Sequence, residues 1–231
     1  TLSSILGGES NNITMGACRS TIGGGLSNCI YASTAHSSVI GGGTLNTVLK
    51  ACSFIGGGNT NCITDVYSTI GGGNQNWAYS PSTTIAGGTT NYAGAGCSTV
   101  GGGRCNLIGF QNINGNCAVN AIIAGGEFNK ITGIGSAMTI GGGRCNHIAT
   151  SGCGCSTIGG GGYNLITNYG GSNTIGGGYC SQIYNSCKTF IGGGAQNNVY
   201  QTQYSSISAG YANQICSAYC SHIGGGYNNQ I

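Results

Sequence analysis

Apolar and polar side chains fall into one short pattern that recurs along all 231 residues: Ser-Thr-Ile-Gly-Gly-Gly-x-x-Asn-x-Ile, followed by a variable stretch. The first apolar anchor of each unit is Ile5, Ile22, Ile40, Ile55, Ile70, Ile85, Val100, Ile123, Ile140, Ile158, Ile175, Ile191, Ile207 or Ile223. Successive anchors stand 15–18 residues apart, with one interval of 23 between Val100 and Ile123. The length varies in the loop after the second apolar position, and the longest loop runs from about Gly109 to Asn120. Strands place alternate side chains on opposite faces. Ser and Ile of Ser-Thr-Ile therefore share one face and Thr takes the other, and in Asn-x-Ile the Asn and Ile share a face. The uniform face is the one expected to be buried, and the variable face is expected to meet solvent.

Stacking the units exposes columns. Three residues after the anchor stands glycine in every unit: Gly8, Gly25, Gly43, Gly58, Gly73, Gly88, Gly103, Gly126, Gly143, Gly161, Gly178, Gly194, Gly210 and Gly226. Six after it stands asparagine: Asn11, Asn28, Asn46, Asn61, Asn76, Asn91, Asn106, Asn129, Asn146, Asn164, Asn197, Asn213 and Asn229, with Ser181 as the exception. One unit cannot bury its own apolar face, whereas stacked units can. The chain is therefore expected to be all-β: a β-solenoid, or β-roll, of about 14 short rungs at a period of 15–18, forming a single repeat array over 1–231. At about 4.8 Å per rung, Ile columns form a dry seam and Asn columns can hydrogen-bond along the stack, as amide ladders do in cross-β structures. The invariant glycine is expected at a corner with positive φ. The glycine before it is expected to lack a side chain because another backbone approaches closely, in the same chain or another. Rungs this small enclose little core. That favours a parallel homotrimer packed on its glycine faces over a lone solenoid whose glycines serve only its own turns.

Composition sharpens the picture. Glycine supplies 49 residues, proline one, and charged side chains 4%. No collagen period is present, and the wealth of Ile, Thr and Tyr argues against disorder. The six Lys and Arg are scattered, which disfavours a nucleic-acid surface. No apolar run reaches the roughly 18 residues of a membrane-spanning helix. The chain begins at Thr1 and starts and ends in phase with the repeat, so it is expected to be a fragment of a longer fibre.

Units such as Ser68-Thr69-Ile70-Gly71-Gly72-Gly73-Asn74-Gln75-Asn76 and Ser98-Thr99-Val100-Gly101-Gly102-Gly103-Arg104-Cys105-Asn106 resemble the GGG-x-x-N repeats of phage and viral tail fibres and bacterial surface fibres. They are also similar to the repeats of trimeric autotransporter adhesin heads. The resemblance implies a left-handed roll, a trimer, and a fibre shaft or adhesive segment on a virion appendage or at a cell surface. It carries over no catalytic residue.

Catalytic chemistry has little to work with. Glu9, Asp65 and Glu127 are the only acids and are expected to be too far apart to pair. His36, His147 and His222 occupy different columns. The Gly triplets superficially invite a nucleotide-binding reading, but their recurrence in every unit reads as architecture. No enzyme, cofactor or metal site is therefore expected. Of 14 cysteines, Cys105, Cys145 and Cys180 share a column but skip rungs, as do Cys29 and Cys62. Two rungs exceed the span of a disulfide, so most are expected as free thiols. Exposed aromatics at open or loop positions, Trp77, Tyr79, Tyr92, Tyr163, Tyr179, Tyr200, Tyr211 and Tyr227, suit either a host surface glycan or receptor, or packing between chains. An outward file of Thr21, Thr69, Thr84, Thr99, Thr139, Thr157 and Thr174 admits an ice-binding alternative, though Val39, Phe54, Ile122, Phe190 and His222 interrupt it.

Overall fold

The structure, a computed structural model, describes residues 2–31, 36–109, 118–152, 154–168 and 171–231. Most of the long loop expected between Gly109 and Asn120 lies outside these residues. Among the described residues every element is a short strand, every pairing is parallel, and no helix occurs. Two compact units form, Thr1–Asn106 and Leu107–Ile231. Each is a β-solenoid.

In the first unit the anchor strands Ser4–Ile5, Thr21–Ile22, Val39–Ile40, Phe54–Ile55, Thr69–Ile70, Thr84–Ile85 and Thr99–Val100 lie side by side in chain order. A second ladder joins Asn12–Ile13, Cys29–Ile30, Thr47–Val48, Cys62–Ile63, Trp77–Ala78 and Tyr92–Ala93. In the second unit the anchor strands are Ile122–Ile123, Thr139–Ile140, Thr157–Ile158, Thr174–Ile175, Phe190–Ile191, Ser206–Ile207 and His222–Ile223. Its other ladder joins Leu107–Ile108, Lys130–Gly133, His147–Thr150, Leu165–Asn168, Gln182–Tyr184, Asn198–Tyr200 and Gln214–Cys216. In the buried columns apolar pairs with apolar: Ile55 with Ile70, Ile70 with Ile85, Ile148 with Ile166. The main chain fixes this register. Thr69 N–H donates to Thr83 O at 2.9 Å and Gly71 N–H to Ile85 O at 2.9 Å, both toward the next coil.

The alternation read from the sequence holds. Ser20, Ile22, Asn28 and Ile30 are fully buried, while Thr21 and Cys29 between them are half-buried. A third ladder, one residue wide, sits between the two strands of each coil. In the first unit it runs through Glu9, Leu26, Thr44, Asn59, Asn74, Thr89 and Arg104. In the second it runs through Glu127, Arg144, Gly162, Tyr179, Ala195, Tyr211 and Tyr227.

Two left-handed positions separate the strands of each coil. The invariant glycines have φ between 83° and 107°, which L side chains avoid. Two residues later a second left-handed residue follows in every coil, with φ of 53–59°, and it is almost any type: Ser27, Leu45, Thr60, Gln75, Phe128, Tyr163. Left-handed backbone costs a non-glycine residue roughly 1–2 kcal/mol. The hydrogen bonds explain why it persists. Asn74 N–H donates to Gly88 O in the following coil, and the next residue, Gln75, donates to Asn59 O in the preceding one. The corner reverses the axial direction of successive N–H groups, so both are satisfied.

The glycine triplet needs one correction. Close backbone approach falls on its first and third residues, not its second: on the third, a methyl group on Gly25, Gly43 or Gly58 would strike the carbonyl oxygen of the glycine stacked on it in the next coil. A methyl group on Gly23, Gly41, Gly56 or Gly71 would strike the carbonyl oxygen of the residue stacked on it in the next coil. At the second glycine the chain's own packing leaves space: the nearest atom to such a methyl on Gly57 is Gly42 O at 3.9 Å, and at Gly87 and Gly160 nothing lies within 4 Å.

Candidate functional site

Two polar ladders run inside each coil stack. In the asparagine column, Asn76 Nδ2 donates to Gly72 O of its own coil at 3.0 Å and to Gly88 O of the next at 2.9 Å. Its N–H reaches Asn61 Oδ1 at 3.0 Å, and its own Oδ1 accepts the N–H of Asn91 at 3.0 Å. Each asparagine thus ties three consecutive coils, its main-chain N–H bonding to the preceding one and its side-chain amide to the following one. Asn28, Asn46, Asn61, Asn106, Asn129, Asn146, Asn164, Asn197 and Asn213 are equally buried, and burial of this kind demands full satisfaction. At the exceptional coil Ser181 takes the N–H role only: Asn197 N–H donates to its Oγ at 3.4 Å.

The serine preceding Thr-Ile, read from sequence only as a small inward residue, forms the second ladder. Ser38 N–H donates to Ser20 Oγ, Ser53 N–H to Ser38 Oγ, Ser68 N–H to Ser53 Oγ, and Thr83 N–H to Ser68 Oγ, at 3.2–3.3 Å. These hydroxyls are occupied in the main-chain network. Outside them, Thr69, Thr84 and Thr99 stand in consecutive register in the first unit, and Thr139, Thr157 and Thr174 in the second.

The ionisable groups are dispersed. Glu127 meets Arg144 at 3.6 Å on the surface, a pair worth less than about 1 kcal/mol. His147 Nε2 lies 2.9 Å from Thr132 Oγ1, and His222 Nδ1 lies 2.8 Å from Ser206 Oγ. Burial, reinforced by the neighbouring Lys130 charge, lowers the His147 pKa to about 4. Among the described residues no three His, Cys, Asp or Glu side chains converge as a metal site would require. The described cysteines are free thiols. Cys29 and Cys62 flank Thr47 in one ladder. Burial raises the Cys62 thiol above its ordinary pKa, and does the same at Cys29 against an opposing hydrogen bond from Tyr31, so neither is a ready thiolate. Among the described residues no helix is long and apolar enough to cross a membrane.

The aromatic candidates separate by unit. In the second, Tyr163 and Tyr179 meet edge to face at 5.6 Å, and Tyr211 and Tyr227 stack at 5.4 Å with ring planes 6° apart. They make two separate pairs, because Ala195 stands between Tyr179 and Tyr211 in the one-residue ladder. Tyr184 with Tyr200, and Lys188 above Tyr204 with Nζ 3.1 Å from its hydroxyl, are further surface contacts. In the first unit Trp77 and Tyr92 are direct neighbours in one ladder. They form one side of a groove of about 410 Å³ whose remaining lining is Thr60, Gln75, Thr90 and Asn91. Tyr79 stacks on Tyr92 at 6.1 Å.

No protein-family model matches the chain, and no curated protein matches it.

Proposed function

We propose that this chain is a non-catalytic structural segment, the shaft or adhesive part of a fibre on a virion or a cell surface. The observation that supports this most strongly is the register of the coils: main-chain ladders and buried, fully bonded asparagines repeat from coil to coil. Such a stack gains stiffness and protease resistance from repetition. The buried serine hydroxyls are occupied by the ladder, and the acids are scattered, which suits a mechanical role.

The fibre reading includes a left-handed parallel homotrimer. In its support, the second glycines Gly57, Gly87, Gly160, Gly177 and Gly193 bear no side chain and leave room for another backbone. Sedimentation equilibrium of the purified chain tests it. Three chains per particle that resist trypsin and proteinase K for hours accord with the proposal. A monomer digested within minutes contradicts it.

A further inference from the structure

We infer that the groove beside Trp77 is a binding site for a neutral, linear carbohydrate chain lying along the solenoid axis. The inference goes beyond the structural reading and does not depend on the oligomeric state.

The groove has an aromatic side and a polar side. Trp77 is 45% exposed although it stands in a ladder. Its neighbour Tyr92 is fixed: the ring folds over Gly94, where a methyl group would collide with ring atom Cε1, and Tyr79 stacks on it. Thr60, Gln75 and Thr90 supply polar lining, on three successive coils. All three are left-handed corner residues, with φ of 55–56°. Their main-chain N–H groups are used by the preceding coil. Their side-chain hydroxyl and amide groups make no hydrogen bond among the described residues, whereas Asn91 is committed to Gly87 O and Gly103 O.

This lining selects a chemical class. Aromatic faces meet the C–H faces of pyranose rings, and neutral hydroxyl and amide groups pair with sugar hydroxyls. No charged side chain lines the groove, so polyanions gain nothing there from counterion release. Coils repeat at about 4.8 Å, close to the advance of one extended β-linked pyranose. Successive sugars therefore meet equivalent corner side chains, and a short chain spans the three coils.

Trp77 is the only tryptophan of the chain, so its emission reports the site directly. The experiment titrates the intact 231-residue chain with cellohexaose and with chitohexaose, followed by calorimetry. At least one is expected to shift Trp77 emission saturably at millimolar or lower concentration. Trp77→Ala is expected to weaken calorimetric binding at least tenfold, Gln75→Ala severalfold, and Tyr227→Ala not at all. Each variant is checked for an unchanged circular dichroism spectrum, and Trp77→Phe is expected to restore most of the binding. The inference is overturned if neither hexasaccharide perturbs Trp77, if binding survives Trp77→Ala, or if only a polyanion such as heparin or single-stranded DNA binds.

Discussion

At the scale of single residues, two demands set the sequence: the corner of each coil must be left-handed, and every polar group turned inward must find a partner on an adjacent coil. Asparagine satisfies the second better than other side chains because one amide donates to carbonyls of its own and the next coil and accepts an N–H of the next coil. Replacing Asn76 by alanine leaves the Asn91 N–H unpaired inside the stack and removes the bonds to Gly72 O and Gly88 O. At 1–3 kcal/mol for each buried group left without a partner, the loss is about 3 kcal/mol, read as a lowered denaturation midpoint. The reverse change is available at Ser181, which sits fully buried between coils that carry asparagine. Ser181→Asn restores donors toward the Gly177 and Gly194 carbonyls, and it is expected to stabilise by about 1 kcal/mol in the same assay. The asparagine and glycine columns were legible because they are uniform. The second left-handed corner was not, since Leu45, Gln75, Phe128 and Tyr163 share no preference for it. Opposed axial hydrogen bonds impose that conformation, overriding local propensity.

At the scale of elements, most strands are only two residues long, and none would persist alone. Their existence follows from stacking, which is why the anchor period predicted them better than any single segment could. The serine ladder was half legible: its inward direction followed from alternation, but its hydrogen bonds depended on the neighbouring coil. The groove was legible on one side only. Trp77 and Tyr92 stood out at an open column, whereas Thr60, Gln75 and Thr90 join the same lining from left-handed corners that the sequence does not announce. The longer strand His147–Thr150 carries a pH dependence. In register between Lys130 and Leu165, His147 has a folded pKa of about 4 against an ordinary 6.5. The unfolded chain therefore takes up the proton first. Stability is fully present above about pH 6.5 and falls as the pH drops toward 4, by roughly 2–3 kcal/mol. His147→Gln keeps a hydrogen-bonding partner for Thr132 and removes the titration. Its melting temperature is expected to fall less than that of the native chain over this pH interval.

At the scale of the whole molecule, low charge and high glycine content are consequences of one architecture repeated. Interior positions need Ile, Ser and Asn, corners and crowded backbone need Gly, and the surface is hydrated by Thr, Asn, Gln and Tyr. The repeat was legible along the whole chain, but its division into two compact units was not, since the pattern is the same on both sides of Asn106. The central claim is that each coil bonds in register to its neighbours through the buried asparagines. The most direct test is a long-range HNCO spectrum, which detects scalar coupling across hydrogen bonds. Correlations are expected from the amide nitrogen of Asn91 to Cγ of Asn76, and from that of Asn76 to Cγ of Asn61. Correlations of those amides with carbonyls a few residues away in the chain, or with an antiparallel neighbour, would contradict it.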